Sequence, residues 1–184
     1  MKFRIEHLHE TDSTNTLARS YAAQGAAEGL VIFADFQTEG RGKQGHVWVS
    51  PKGKDLLFSL LVRPPVSASK APMITQMACR AVAAALKNYG IETEFKMPND
   101  VLCQGKKICG TLVEAESSAG KLEMAVIGIG LNVNTDSAEI FPEGISMKMV
   151  TGQVHDREKI LGEVLEALEQ GLAPFYGTDA KAHA

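Results

Sequence analysis

Cysteine is scarce in this chain: Cys79, Cys103 and Cys109 are the only three in 184 residues, and no Cys-x-x-Cys pair occurs. So sparse and odd a set builds neither a disulfide scaffold nor a zinc knuckle, and it reads as reduced, partly buried thiols. Long apolar runs are also missing. The first fifteen residues lack the apolar segment of a signal peptide, and no stretch approaches the ~20 residues of a membrane span. The expectation is a soluble, intracellular protein of the cytoplasm with no membrane partner. Nor is there a strong basic balance: Lys+Arg 19 against Asp+Glu 22 leaves a net charge of −3. That argues against a nucleic-acid surface while leaving room for a local basic pocket. There is no Ser-His-Asp or Cys-His arrangement for nucleophilic catalysis. Among the five histidines only His7-x-His9 has ligand-like spacing, and it reads as solvated surface.

What is present suffices for one domain, 1–184: 45% of the residues are hydrophobic, and a chain of this size buries roughly 70% of its unfolded surface. Residues 3–8 read as an edge strand. A helical run over 16–25 follows the cap candidates Asp12, Ser13, Thr14 and Asn15, with Gly25 suited to end it. Residues 30–36 and 55–62 are apolar enough for buried strands. Ile74, Met77, Ala78, Ala81, Ala85 and Leu86 form the stripe of a helix over 72–89, with Pro72 at its start and Gly90 beyond its end. Strands are then expected at 91–97, on both sides of a Gln104-Gly105 turn, and at 122–134. A last helix begins near Asp156 and is stopped by Gly171, and the tail from Thr178 reads as frayed. Hairpins mixed with three helices indicate an α+β fold, a mixed, largely antiparallel sheet covered by helices.

Five segments could carry chemistry. The first is the flexible loop Gly40-Arg41-Gly42-Lys43-Gln44-Gly45-His46, followed by the sole tryptophan, Trp48. Glycines expose backbone amides while Arg41 and Lys43 bring positive charge to an anion, although a solvated hairpin reads equally well. Trp48 either stacks on a planar ring or packs in the core. In the second segment Pro98 stiffens the presentation of Asn99 and Asp100, and Asp100 is a hard oxygen ligand for Mg²⁺; a plain turn is the competing reading. Third, in a regular strand Lys107, Cys109 and Thr111 share one face, while Ile108, Gly110 and Leu112 share the other. Fourth, Asn132 and Asn134 follow the glycines 128 and 130. Fifth, Ser13, Thr14 and Asn15 either cap a helix or read a ligand. The shared feature is cationic and hydrogen-bonding groups on glycine-bearing segments, suited to an anionic phosphorylated ligand.

In order, these segments resemble the catalytic domain of biotin protein ligases. The resemblance runs through Asp12-Ser13-Thr14-Asn15, Gln37-Thr38-Glu39-Gly40-Arg41-Gly42, Trp48-Val49-Ser50-Pro51 and the Lys96-to-Asp100 segment. It continues through Lys107-Ile108-Cys109-Gly110-Thr111-Leu112-Val113-Glu114 and on to Asn134. It implies a fold related to class II aminoacyl-tRNA synthetases. It also implies activation of biotin by ATP and Mg²⁺ to biotinyl-5′-AMP, with transfer to a lysine of the biotin carboxyl carrier protein. By the same resemblance, Ser13, Thr14, Gln37 and, less directly, Asn15 meet the biotin head, and Gly110 lies along biotin. Gly40, Arg41, Gly42 and Lys43 belong to the closing loop, with Arg41 gripping carboxylate and α-phosphate. Trp48 stacks on adenine, Asn132 approaches the adenosine, Asn99 and Asp100 hold phosphate and metal, and Lys107 neutralises the reacting groups.

The family loop is typically Gly-Arg-Gly-Arg-Arg-Gly-Arg. Lys43, Gln44 and His46 therefore depart from it, as does Met97 where a tryptophan is usual. A first motif at Asp12 leaves no room for an N-terminal helix-turn-helix, so the expectation is a non-regulatory ligase, with at most a remnant of the family's small C-terminal β-domain. A homodimer is a further expectation of the resemblance. Lipoyl or octanoyl transfer within the superfamily is the alternative activity, and a catalytically weak biotin- or adenylate-binding protein is the alternative outside catalysis.

Overall fold

The computed structural model describes residues 1–177, so the expectation of a frayed tail from Thr178 lies outside the described residues. The strands are β1 (Arg4–Leu8), β2 (Leu30–Ala34), β3 (Leu56–Val62), β4 (Glu94–Lys96), β5 (Asp100–Cys103), β6 (Lys106–Ser118) and β7 (Lys121–Leu131). They form one sheet in the order β1-β2-β3-β7-β6-β5-β4. Only the β1–β2 pair is parallel; every other neighbour is antiparallel. The helices are α1 (Thr14–Ala23), α2 (Ala71–Lys87), the short α3 (Met147–Thr151) and α4 (Arg157–Leu172). The mixed, largely antiparallel sheet covered by helices is thus as expected. No helix among the described residues is long and apolar enough to cross a membrane.

Strand alternation sorts the side chains between two faces. Val31, Phe33, Leu56, Phe58, Leu60, Ile127 and Ile129 join the larger core beneath α2 and α4. Leu30, Ile32, Leu61, Met124 and Val126 meet Ala18 and Ala22 of α1 on the other face. Only ten residues long, α1 covers part of that second face, and the remainder is open for a site.

Several boundaries differ from the sequence expectation. Helix α1 starts at Thr14, two residues early, with Ser13 at its cap position but making no side-chain capping bond. The strand expected over 91–97 shrinks to the three exposed residues of β4, and β7 ends at Leu131, before the asparagines. Asp156 caps α4 by accepting from the amides of Glu158 (2.9 Å) and Lys159 (3.1 Å). Gly171 does not stop α4. A Cβ there would lie 2.7 Å from Met77 Sδ, so this glycine lets α4 pack closely on α2. The chain turns only at Gly177, with φ +70°. The three thiols are buried outright rather than partly, and none forms a disulfide. Burial pushes the Cys109 thiol well above its ordinary value and raises Cys79 and Cys103 as well.

Candidate functional site

Beyond the N-terminus of α1, the open part of the sheet forms the floor of a cavity of about 410 Å³, a size that suits a small-molecule ligand. Glycines make the space. A Cβ at Gly128 would lie 2.1 Å from Asn15 Oδ1, one at Gly130 would lie 2.5 Å from Trp48 Cε2, and one at Gly110 would lie 2.8 Å from Trp48 Cζ3.

Lys107 reaches this floor through a break in strand regularity. Leu102 pairs with Lys107 but Val101 pairs with Cys109, so β6 carries one extra residue against β5. Such a bulge reverses the alternation on one side of it. Ile108 and Cys109 therefore both enter the core, while Lys107 joins Gly110 in the cavity. The regular alternation expected from sequence, which put Lys107 with Cys109 and opposite Gly110, is corrected by this one residue. The bulge is pinned through the backbone of Lys107. Its N–H donates to the Glu143 carbonyl (2.8 Å), and its carbonyl accepts from Ile145 N (3.0 Å) and Asn132 Nδ2 (3.2 Å). Its ammonium stands 2.7 Å from Asp100 Oδ1 and 5.3 Å from the centre of the Trp48 ring. Asn99 holds Asp100's neighbourhood to β6, with Nδ2 donating to the Thr111 carbonyl at 2.9 Å.

The opposite end of the cavity is polar and tightly wired. Gln37 Oε1 accepts from both the backbone N–H (2.8 Å) and the hydroxyl (3.0 Å) of Thr14. Ser59 is completely buried, and its hydroxyl lies 2.8 Å from Thr14 Oγ1 and 2.6 Å from Asn15 Oδ1. Asn15 Nδ2 donates to the Leu112 carbonyl (3.3 Å) and to Glu114 Oε2 (2.9 Å). The Ser13 hydroxyl and the Gln37 amide nitrogen have no hydrogen-bond partner among the described residues. Both residues line the cavity, so both groups are available to a ligand.

The loop over 40–48 is folded as a small hairpin. Trp48 N donates to the Gly40 carbonyl (2.9 Å), Gly42 N to the His46 carbonyl (2.7 Å), and Arg41 bridges Val47. Gly40 is required for that closure, since a Cβ there would meet the Trp48 carbonyl oxygen at 2.2 Å. The hairpin brings Arg41 and Lys43 to the cavity, where with Lys96 and Lys107 they face Asp100, the sole acidic lining residue among the described residues. Within a chain of net charge −3, the cavity is locally cationic.

Of the residues proposed from sequence, Ser13, Thr14, Asn15, Gln37, Arg41, Gly42, Lys43, Trp48, Asn99, Asp100, Lys107 and Gly110 line this one cavity. Gly40 and Asn132 do not. Asn132 is 1% exposed, and its amide is spent on the carbonyls of Lys107 and Ile145 (3.1 Å), so it fastens the bulge from behind. Asn134 is likewise occupied with the backbone of His155. The pair His7 and His9 is exposed, as expected, and both rings also bond Asp35, at 3.0 and 3.2 Å. Burial opposes ionisation of Asp35, but hydrogen bonds from Arg157, His7 and His9 outweigh it and hold the carboxyl well below the usual carboxylate range. Sequence reasoning missed Ser59 and gave Glu114 no role beyond its place in the Lys107-to-Glu114 segment. A lone serine inside the seven-residue run of β3 was the available signal for the first.

Comparison with known proteins follows the same lines. The sequence profile of the biotin/lipoate A/B protein ligase family matches residues 8–132. The chain is 35% identical over 164 residues to the bifunctional ligase/repressor BirA of Bacillus spizizenii, covering 86% of this chain and 50% of that protein. It is 32% identical over 174 residues to the biotin–[acetyl-CoA-carboxylase] ligase of Mycobacterium tuberculosis, covering 90% of this chain and 63% of that one. Among solved structures, biotin protein ligase from Aquifex aeolicus in complex with biotin and ATP matches with a TM-score of 0.79 at 31% identity, covering 96% of this chain and 73% of that one. The chain spans about half the length of the Bacillus relatives it matches.

Proposed function

The chain belongs to the biotin/lipoate A/B protein ligase family, and from that premise we propose that it activates biotin with Mg·ATP and passes the biotinyl group to a lysine of a biotin carboxyl carrier protein. The observation that carries the reading is the β6 bulge. It sets Lys107 at one end of a cationic cavity whose other end offers the unpaired Ser13 hydroxyl and Gln37 amide. A cyclic urea needs such polar partners, whereas an octanoyl or lipoyl chain needs an apolar slot, so the polar end favours biotin over the lipoate side of the family.

In the first step a biotin carboxylate oxygen attacks the α-phosphorus of ATP. The new O–P bond forms as the bond to pyrophosphate breaks, leaving biotinyl-5′-AMP. Negative charge on the α-phosphate oxygens would be met by the Lys107 ammonium and the Arg41 guanidinium, fixed donors that need no reorganisation. Trp48 would give adenine an aromatic face, and Asn99 would approach the phosphates. Among the described residues Asp100 is the single carboxylate lining the cavity, and no group of three or more metal-ligating side chains occurs. One carboxylate suits Mg²⁺ that arrives on the nucleotide and keeps phosphate and water ligands. In the second step the neutral amine of the acceptor lysine attacks the acyl carbonyl; a C–N bond forms, the C–O bond to AMP breaks, AMP departs as the phosphate anion, and the nitrogen gives up one proton to solvent. Holding the two reactants together between the 40–48 hairpin and the sheet is the larger part of the protein's contribution.

The test is acid-stable transfer of labelled biotin to a purified carrier domain, with pyrophosphate release followed in parallel. Release with biotin and none with octanoate or lipoate is expected. A folded protein that forms no adenylate at saturating biotin and Mg·ATP refutes the proposal.

A further inference from the structure

Glu114 lies outside the cavity lining, yet three side chains converge on its carboxylate. Asn15 Nδ2 donates to Oε2 at 2.9 Å. Arg41 places Nη1 3.3 Å from Oε2 and Nη2 3.1 Å from Oε1. Arg19 reaches Oε1 at 3.3 Å with Nη1, while its Nη2 pairs with Glu116 at 3.0 Å. The carboxylate is the most sheltered member, its side chain 17% exposed against 41% for Arg19 and 46% for Arg41.

Fastening α1 to β6 needs only Arg19 and Asn15. Arg41 comes from a different element, the 40–48 hairpin, and its guanidinium has no other ion pair or hydrogen bond among the described residues. Glu114 alone therefore sets where that guanidinium sits. The grip uses one N–H from each terminal nitrogen, and a guanidinium keeps further donors for a second anion. Asn15 belongs simultaneously to the polar end of the cavity through Ser59. One carboxylate thus joins the group that would sense the head of a ligand to the cation that would meet its acid end.

We propose that Glu114 is a positioning residue, aiming the Arg41 guanidinium across the cavity mouth before an anion arrives and tying that aim to Asn15. The identity of the anion, a carboxylate becoming an acyl phosphate, rests on the functional reading above; the aiming of Arg41 does not. Arg19 shares the neutralisation of Glu114 while Arg41 turns its spare donors to the ligand, so the carboxylate does not depend on Arg41 alone.

Glu114→Gln is the informative change, because its amide oxygen can still accept from Asn15 while the charge that holds Arg41 is gone. In the full free chain, cleavage by trypsin after Arg41 should run about fivefold faster in this variant, the scale set by one partly exposed ion pair. Arg19→Gln, which loosens α1 from β6 but leaves the Arg41 pair, should be cut there at the wild-type rate. Equal rates for Glu114→Gln and wild type, or equal acceleration by both variants, would overturn the proposal in favour of a fastening role. In pyrophosphate release, Glu114→Gln should lower kcat/KM for biotin roughly tenfold, and adding it to Arg41→Ala should cost nothing more. A full additional loss in the double variant also overturns it. If the wild type releases no pyrophosphate, the functional reading falls, and digestion still decides the role of Glu114.

Discussion

Two alanine substitutions two residues apart on β7 should separate folding from binding. At Gly128 the new Cβ would sit 2.1 Å from Oδ1, 2.8 Å from Cγ and 3.0 Å from Nδ2 of Asn15, so the whole amide must leave. Asn15 is in the first turn of α1 and holds three hydrogen bonds: 2.6 Å from Ser59, 2.9 Å to Glu114 and 3.3 Å to the Leu112 carbonyl. At about 1 kcal/mol each their loss approaches ~3 kcal/mol. Replacing glycine restricts the unfolded chain and returns about 0.4–1 kcal/mol. The net expectation is a destabilisation of about 2 kcal/mol, or roughly 4–8 °C in Tm for a chain of this size. At Gly130 the obstacle is Trp48, whose indole nitrogen is buried without a hydrogen-bond partner and which rides on the 40–48 hairpin. That ring can swing aside, so Gly130→Ala should change stability by no more than ~1 kcal/mol.

Thermal and urea unfolding followed by circular dichroism measures the first difference. Fluorescence measures the second, because Trp48 is the only tryptophan in the chain. The Gly130→Ala variant should show a shifted emission before any ligand is added and weakened Mg·ATP-dependent adenylation. Gly128→Ala should lose biotin binding together with stability. Equal stability of the two variants, or a Gly128→Ala protein with native stability and binding, would refute the account of the glycines as space reserved for Asn15 and Trp48.

Lys107→Ala should reduce biotin transfer roughly a hundred- to a thousand-fold, the usual loss of one charge-stabilising donor, with circular dichroism unchanged; near-wild-type transfer would remove Lys107 from the reaction. The Asp35 carboxyl titrates lower in the folded chain than the ~3.9 of an unfolded one. Its stabilising contribution is therefore complete above that pH and is lost as pH falls through the folded value. Arg157→Gln, which removes the 2.8 Å partner, should move acid unfolding to higher pH, and an unmoved midpoint would show the cluster to be inconsequential. Cys79, Cys103 and Cys109 are buried with raised thiol pKa values, so a thiol reagent should modify them only on unfolding; fast labelling of the native chain would contradict their placement.

Much of the fold was legible because burial imposes period. The stripe of α2 and the run of β3 appear in the sequence at the spacing that the two sheet faces require. Gly171 misled because one residue type serves two physical ends: it can stop a helix with positive φ, or let two helices approach, and only the position of Met77 distinguishes them. Most of the cavity lining was legible too, since cations beside glycines on several separate segments have little reason to converge except around a ligand. Strand parity was not. A single inserted residue opposite Val101 and Leu102 turns Lys107 from the core face to the cavity face, and nothing local in Lys106-Lys107-Ile108-Cys109 announces it. The cause lies at a distance, in the Asn132 amide and the backbone of Glu143 and Ile145, which bind the displaced peptide. Asn132 was therefore misplaced for the same reason that Lys107's direction was misjudged. A side chain that looked free to read a ligand is committed to holding the bulge, and the charge it holds in place is the one the proposed chemistry depends on.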